Sequence, residues 1–511
     1  MIGLLKNDIF IIFLIILFAF GVRYLSLMDQ GITWDEPTYV NTGIVYIQDV
    51  IHLDFSHDSW NMNLEHPTFG KFLYGAAVVL LHHGLYDYQS MFIGKALSAL
   101  MGALTCAMVY LIGREFFTRR VGAAAAIVLA LIPVFVANNQ QAALDTPLAL
   151  FFTVTMFLFM LAVKSGDWRI YAISAVSLGV LVDTKFNGLL IVPVMALFYL
   201  INRFMRRSSG MKQDTLLTLA GAIGFTAIAG LTLYALWPWI WNSPENLVSS
   251  LDHWGYAPQE YFLGTLQAAT PIYYPVYFMV TTPALLLIPF FIGIYSLARS
   301  KDPYKYALLL WCFIPFCYGL SHMVQDGMRY LLMIYPAVAL ICAAGLLEAA
   351  GWASKLNIGN GLKKAAFPAL VALTALYLIV SLATIYPYYL DYYNVLSGGS
   401  ANVDQNRQFE FGWWGEGLSD SILYIETHAA HRSMVYLAVE PPTSVHFYSK
   451  NCTYESADNV YFGGETDYVL VNAYEERYDT VVFNRPEYQL VYETTVQGMP
   501  LVKVYKNIHD M

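Results

Sequence analysis

Charge is scarce in this chain. Of its 511 residues only 13% are Asp, Glu, Lys or Arg, against about 25% in a soluble domain. With 57% of residues apolar, an ordinary water-soluble fold is excluded and a membrane protein is indicated. Cysteine is sparse too. Four of the five, Cys106, Cys312, Cys317 and Cys342, fall inside apolar runs and only Cys452 lies outside them, so no disulfide framework follows. The first apolar run lacks a small-residue cleavage site after it, and Arg23 interrupts its end; it reads as a retained span. The net charge is −9, and nothing in the pattern suggests nucleic acid.

What is present is a series of apolar runs. Lipid cannot satisfy a bare backbone, so runs of about 20 such residues are read as spanning helices. Eleven stand out, at 8–28, 91–113, 120–138, 146–163, 168–183, 187–204, 214–240, 272–298, 304–322, 330–350 and 363–386. A twelfth stretch, "FGKFLYGAAVVLLHHGL" from Phe69 to Leu85, is shorter and carries Lys71, His82 and His83.

Orientation follows the excess of Lys and Arg on cytoplasmic connections. If residues 69–85 lie along the surface, alternate connections hold 16 Lys and Arg while the opposite side holds three: Lys71, Lys185 and Arg329. Counting 69–85 as a span would put nearly all that charge outside. The surface assignment is preferred, with a cytoplasmic N-terminus. Asp35, Glu36, Glu65, His66, Asp145, Lys185, His253, Asp326 and Arg329 then all emerge at one outer interface. Ionisable groups at a membrane are costly and usually functional. A pump would place them near the bilayer midplane, where these spans are nearly free of charge.

From Pro387 onward there are 17 acidic and 7 basic residues, against 20 and 21 in the preceding body. The tail is a separate, acidic, water-facing unit. "GEGLSDSILYIETHAAH" reads as a helix, and "SMVYLAV", "DYVLVNAY", "TVVFN", "YQLVYETTV" and "PLVKVYK" read as strands. Two units are expected: a membrane module over 1–390 and a small extracytoplasmic α/β domain over 391–511, suited to capping, acceptor docking or support.

Four stretches, in order and on one side, carry a resemblance: "WDEPTYV" after the first span, "LEHPTFGKFLYG" opening the surface helix, "ALDTPLALFF" at the outer start of a span, and "DGMRYLLMIYPAVALICAAGL". "DTKFNGLL" fits as well. Together they resemble the lipid-phosphate-sugar-dependent GT-C glycosyltransferases, and within them family 39, which holds the protein O-mannosyltransferases and the lipid A aminoarabinose transferases. The resemblance covers roughly residues 8–390. It departs from the family at Thr68, where a second proline is usual, and in "NNQQAAL" before Asp145, which offers no basic residue.

The resemblance implies a polytopic α-helical GT-C fold of about 11 transmembrane helices plus juxtamembrane helices. It implies an inverting glycosyltransferase in the cell membrane, taking sugar from a polyprenyl-phosphate donor to a hydroxyl on protein, lipid or glycan. Asp35 is then the general base. Asp145 orients Asp35's neighbours, holds the acceptor or shares a metal. Glu36, Tyr39, Glu65, His66, Lys71, Lys185 and Arg329 form the candidate substrate and phosphate set. No cofactor is required; a divalent ion, as in some relatives, would draw on Glu65 and His253. Plainer roles compete: Asp145 as a helix cap, Lys185 snorkelling to the interface, Arg329 as an anchor, His66 and His253 as loop packing. The alternative function is a transporter or flippase for lipid-linked sugars.

Overall fold

The computed structural model describes residues 8–508 except 83, 86, 209–218, 244, 253–258, 269, 321–325, 358, 439–441, 457–465 and 474–485. All eleven apolar runs are helical or largely so, but they are not eleven straight spans. Among the described residues six helices are long and apolar enough to cross a membrane, or up to eight if two bent pairs each count as one span.

The chain begins with α1 (Ile9–Tyr24), α2 (Asp35–His52) and α3 (Phe69–Leu81). Arg23, at the end of α1, is fully buried, donating to Asn139 Oδ1 (2.9 Å) and to the carbonyl of Ala130 (3.3 Å). Two short helices, α2 and α3, cross where Gly43 meets Gly75. A Cβ on Gly75 would lie 2.0 Å from the Gly43 backbone. Only glycine allows so close an approach of two backbones.

Helix α4 (Tyr88–Phe116) follows, then α5 (Arg119–Leu131) and α6 (Pro133–Asn139). The α5–α6 pair is bent by 68°. Pro133 removes a backbone donor and holds Ile132 in extended conformation, which ends the helix. The connection "ANNQQAALD", read from the sequence as facing the outer side, is buried throughout residues 137–145. Their amides face polar partners: Gln140 Nε2 donates to the Arg23 carbonyl (2.6 Å) and to Ser26 Oγ (2.6 Å).

Helices α7 (Asp145–Ser165) and α8 (Trp168–Thr184) form an antiparallel pair around Gly166, whose φ of +70° closes α7. Then come α9 (Ile191–Ser208), α10 (Leu219–Leu236), α11 (Trp239–Asn242), α12 (Asn246–Asp252) and a hairpin of β1 (Glu260–Phe262) with β2 (Thr265–Gln267).

The expected span at 272–298 is corrected. Helices α13 (Tyr273–Thr281) and α14 (Ala284–Ala298) meet at 119°. Thr282 is extended because Pro283 follows it. After α15 (Pro303–Phe313), Arg329–Ile334 form a 3-10 turn into the central helix α16 (Tyr335–Ser354), and α17 (Asn360–Ile385) follows.

The tail holds α18 (Ser400–Gln405), α19 (Leu418–His428) and five strands: β3 (Met434–Ala438), β4 (Thr453–Ser456), β5 (Tyr468–Asn472), β6 (Tyr488–Val496) and β7 (Met499–Asn507). Their order is β4-β3-β5-β7-β6. Strand β3 pairs in parallel with β4 and β5, while β7 runs antiparallel to β5 and β6. Four of the five expected strand segments are found. "TVVFN" lies outside the described residues, and β4 was not foreseen.

The Gly43–Gly75 crossing gives a test of the fold. Gly75→Leu is expected to lower stability by about 1–3 kcal/mol or to prevent folding. Gly224→Leu, where a Cβ meets nothing within 4 Å, should leave it unchanged. Thermal unfolding in detergent distinguishes the two.

Candidate active site

The site is built from Glu36 outward. Its carboxylate is fully buried. It receives the Lys95 ammonium at 3.1 Å, the Thr33 N–H at 2.7 Å, the Thr33 hydroxyl at 3.0 Å and the Ala142 N–H at 2.8 Å. Lys95, also fully buried, donates further to the Gly31 carbonyl (2.9 Å) and Gln141 Oε1 (3.2 Å). A buried charge persists only when paired and hydrogen-bonded, so these donors and acceptors must sit together. Glu36 is therefore corrected from substrate contact to structural anchor. It staples the Thr33–Asp35 turn to the segment leading into Asp145.

Asp145 opens α7 and Lys185 directly follows α8. Because the two helices are antiparallel, the start of one meets the end of the other. Lys185 Nζ lies 2.7 Å from Asp145 Oδ1, with both side chains almost fully buried. Each also suits its helix end: an anion at the positive N-terminus, a cation at the negative C-terminus. The Lys185 ammonium stands 4.4 Å from the Tyr330 ring centre.

Arg329 comes from the turn before α16 and reaches Asp35, in the first turn of α2. Nη1 donates to Asp35 Oδ2 at 2.7 Å and Nη2 lies 2.6 Å from Asp326 Oδ2. The side chains of Arg329 and Asp35 are 10% and 21% exposed, so the pair lines a crevice that solvent reaches. Tyr330 thus carries Lys185 on its ring, with Arg329 4.9 Å from the same ring centre. Two acid–cation pairs, from four separated segments, flank one tyrosine.

Tyr39, one turn after Asp35, points its hydroxyl at Glu65 Oε2 (3.5 Å), and Glu65 Oε1 lies 3.5 Å from His66 Nε2. The Glu65 carboxyl is held above the ordinary glutamate value, first by loss of hydration and then by negative Asp35. Burial, then Lys185, Lys71 and Arg329, push the His66 imidazole well down, keeping it neutral. Lys71 is corrected. Its ammonium is buried and donates to the carbonyls of Asn63 and His66, both at 2.7 Å, so it braces the Glu65–His66 loop. His253, named with Glu65 as a metal pair, lies outside the described residues. Among the described residues no group of three or more His, Cys, Asp or Glu is arranged to hold a metal ion.

The tail supplies what the sequence reading missed. Residues 411–417, "FGWWGEG", fold over the crevice. The Arg329 guanidinium carbon lies 4.6 Å from the Trp414 ring centre and 5.5 Å from that of Trp413. Trp34 N–H donates to the Trp414 carbonyl (3.2 Å). Glu416, fully buried, accepts the Trp414 N–H at 3.0 Å. Burial raises the Glu416 carboxyl to about 7 and the Asp326 carboxyl to about 6. The tryptophan doublet between glycines was the available signal. Lys95 was likewise visible as a lone cation in an apolar helix, a pattern that asks for a partner.

Two stability tests follow. Lys95→Met leaves Glu36 buried and unpaired, and is expected to cost about 3–5 kcal/mol. Adding Glu36→Gln should recover part of that loss in thermal unfolding. Glu416 has a raised folded-state value, so the folded protein holds its proton where the unfolded chain has released it. Its contribution to stability therefore falls as pH rises from about 4.5 to about 7. Relative to wild type, Glu416→Gln should gain melting temperature as pH goes from 5 to 7.5; a constant difference would contradict this.

Residues 74–234 match the family model described as dolichyl-phosphate-mannose-protein mannosyltransferase. No curated protein sequence matches the chain. Among solved structures, ArnT from Cupriavidus metallidurans in the apo state superposes with a TM-score of 0.57 at 14% identity, covering 98% of each chain. The same protein bound to undecaprenyl phosphate gives 0.54 at 14% identity, over 96% of this chain and 97% of that one. The oligosaccharyltransferase AglB from Archaeoglobus fulgidus, in complex with an inhibitory peptide and a dolichol-phosphate, gives 0.53 at 14% identity, over 91% and 69%. At such identities the likeness is one of fold. The chain is a multi-pass membrane protein that resembles the GT-C glycosyltransferases, in fold along nearly its whole length and in sequence over residues 74–234.

Proposed function

We propose that the chain is a membrane glycosyltransferase that moves a sugar from a polyprenyl monophosphate to a hydroxyl acceptor on the extracytoplasmic face of the cell membrane. The observation that carries this reading is the pair of acid–cation contacts, Asp35–Arg329 and Asp145–Lys185, whose cations stand 4.9 Å and 4.4 Å from the Tyr330 ring centre. The solved relatives bound to undecaprenyl phosphate and to a dolichol-phosphate support the donor class. So does an apolar groove of about 530 Å³ between α8, α9 and α10, lined by Leu178, Val182 and Met195 among others. Val182, in the lining of this groove, is three residues before Lys185 in the sequence.

In this reading the donor phosphate takes Lys185 and Arg329 from their carboxylates. Asp35, released, accepts the proton of the acceptor hydroxyl. The acceptor oxygen bonds to the anomeric carbon from the face opposite the phosphate, and the carbon–oxygen bond to phosphate breaks with its electron pair leaving on the lipid phosphate. Configuration inverts. The two cations stabilise the charge that develops on the leaving group, so no acid is needed. Asp145, released from Lys185 in the same way, orients the neighbours of Asp35 or holds the acceptor. The reaction requires no cofactor; a divalent ion, where one takes part, would draw on Glu65 and His253. The N-terminus is placed in the cytoplasm and the C-terminal α/β region outside. The acceptor is protein, lipid or glycan.

Asp35→Asn is expected to lower turnover by 10²–10⁴-fold, the usual worth of a positioned base, while polyprenyl phosphate still binds. Glycan mass spectrometry of a deletion strain complemented with wild type or variant reads the product. Full restoration by the variant would remove Asp35 as base. Sugar transport across proteoliposomes that survives Asp35→Asn without any transfer product would favour the flippase instead.

A further inference from the structure

The cation at the centre of the site has neighbours from the tail as well as from the membrane module. Arg329 has two carboxylate partners in reach of its N–H groups, Asp35 at 2.7 Å and Asp326 at 2.6 Å. Those contacts use the edge of a planar guanidinium. Aromatic rings surround it: the guanidinium carbon lies 4.6 Å from the Trp414 ring centre, 4.9 Å from that of Tyr330 and 5.5 Å from that of Trp413, and Nη2 also donates to the Tyr330 hydroxyl at 3.2 Å. Arginine stacks on aromatic faces while its rim stays free for oxygen acceptors. The tryptophans are themselves stacked, with centres 5.2 Å apart and planes 25° apart.

The loop that presents them has an encoded shape. Gly412, Gly415 and Gly417 take φ of +60°, +95° and +82°, values that side-chain-bearing residues rarely adopt. Beyond Gly417, a Cβ would lie 2.8 Å from Thr494 of β6. Trp414 is pinned at both backbone ends, its carbonyl by Trp34 N–H and its own N–H by buried Glu416. Trp34 is adjacent to Asp35. The loop therefore contacts Arg329 directly and the backbone of the residue that precedes Asp35.

We infer that Trp414, with Trp413 behind it, is a positioning residue for Arg329, so that the tail completes the active site and the membrane helices alone form an incomplete one. This rests on the reading of Arg329 as a phosphate-binding cation. Trp414 fixes the plane in which the guanidinium is offered, and so sets donor affinity without touching the reacting atoms.

The test uses the full chain in detergent with undecaprenyl phosphate as probe. Trp414→Ala is expected to weaken binding about tenfold, while Trp414→Phe, which keeps an aromatic face, stays close to wild type. Arg329→Ala should weaken binding more, and adding Trp414→Ala to it should change nothing further, because the two act as one unit. Wild-type binding by Trp414→Ala, or additive losses in the double variant, would overturn the inference. If Trp414→Ala does not fold, Trp413→Ala and Trp414→Leu take its place, with the same requirement of no further loss beside Arg329→Ala. If wild type does not bind the probe at all, the donor reading fails separately. The Arg329–Trp414 coupling is then read from melting temperatures, where additive shifts would overturn it.

Discussion

The Glu36–Lys95 pair is the constraint on which the site depends. Both charges are removed from water, where an unpaired ion would cost many kcal/mol. Their remaining hydrogen-bonding capacity is filled by the Gly31 carbonyl, the Thr33 and Ala142 amides and Gln141. Satisfying two ions thus fixes two loops. Asp35 precedes Glu36 by one residue and Asp145 follows Ala142 by three, so both catalytic candidates inherit their positions from this contact. Lys185 and Arg329 are then delivered by helix ends, one by the antiparallel return of α8 and one by the turn before α16.

The arrangement has a physical logic as an anion site. Lys185 and Arg329 are held in place by carboxylates, the first pair almost fully buried and the second partly open to solvent. Preorganised cations of this kind need little reorganisation when charge develops on a leaving phosphate. In the proposed reaction the carboxylates they release include the base, Asp35. Burial, offset in part by Arg329, raises the Asp326 carboxyl to about 6.

Much of this was legible in the sequence. Charge scarcity and apolar runs specified a helical membrane protein, and the distribution of Lys and Arg placed Asp35, Asp145, Lys185 and Arg329 on one side. The 3.6-residue and two-residue patterns of the tail located α19 and four of its strands. Pairwise contacts were not legible. Glu36 next to Asp35 looks like a second site acid, and only the distant Lys95 and Ala142 show that it faces inward. Lys71 reads as an outward cation until Asn63 and His66 are seen to hold its ammonium. Pro283 was visible, yet its effect depended on Thr282 being free to turn α13 away from α14. Trp413 and Trp414 lie about 80 residues from Arg329 in sequence, a separation that no local pattern bridges.

The most direct measurement is an experimental structure of the chain with a polyprenyl monophosphate bound. The phosphate oxygens are expected within hydrogen-bond reach, about 3 Å, of both Lys185 Nζ and the Arg329 guanidinium, with Asp35 no longer paired to Arg329. A phosphate bound elsewhere, with the Asp35–Arg329 and Asp145–Lys185 pairs both intact, would contradict it.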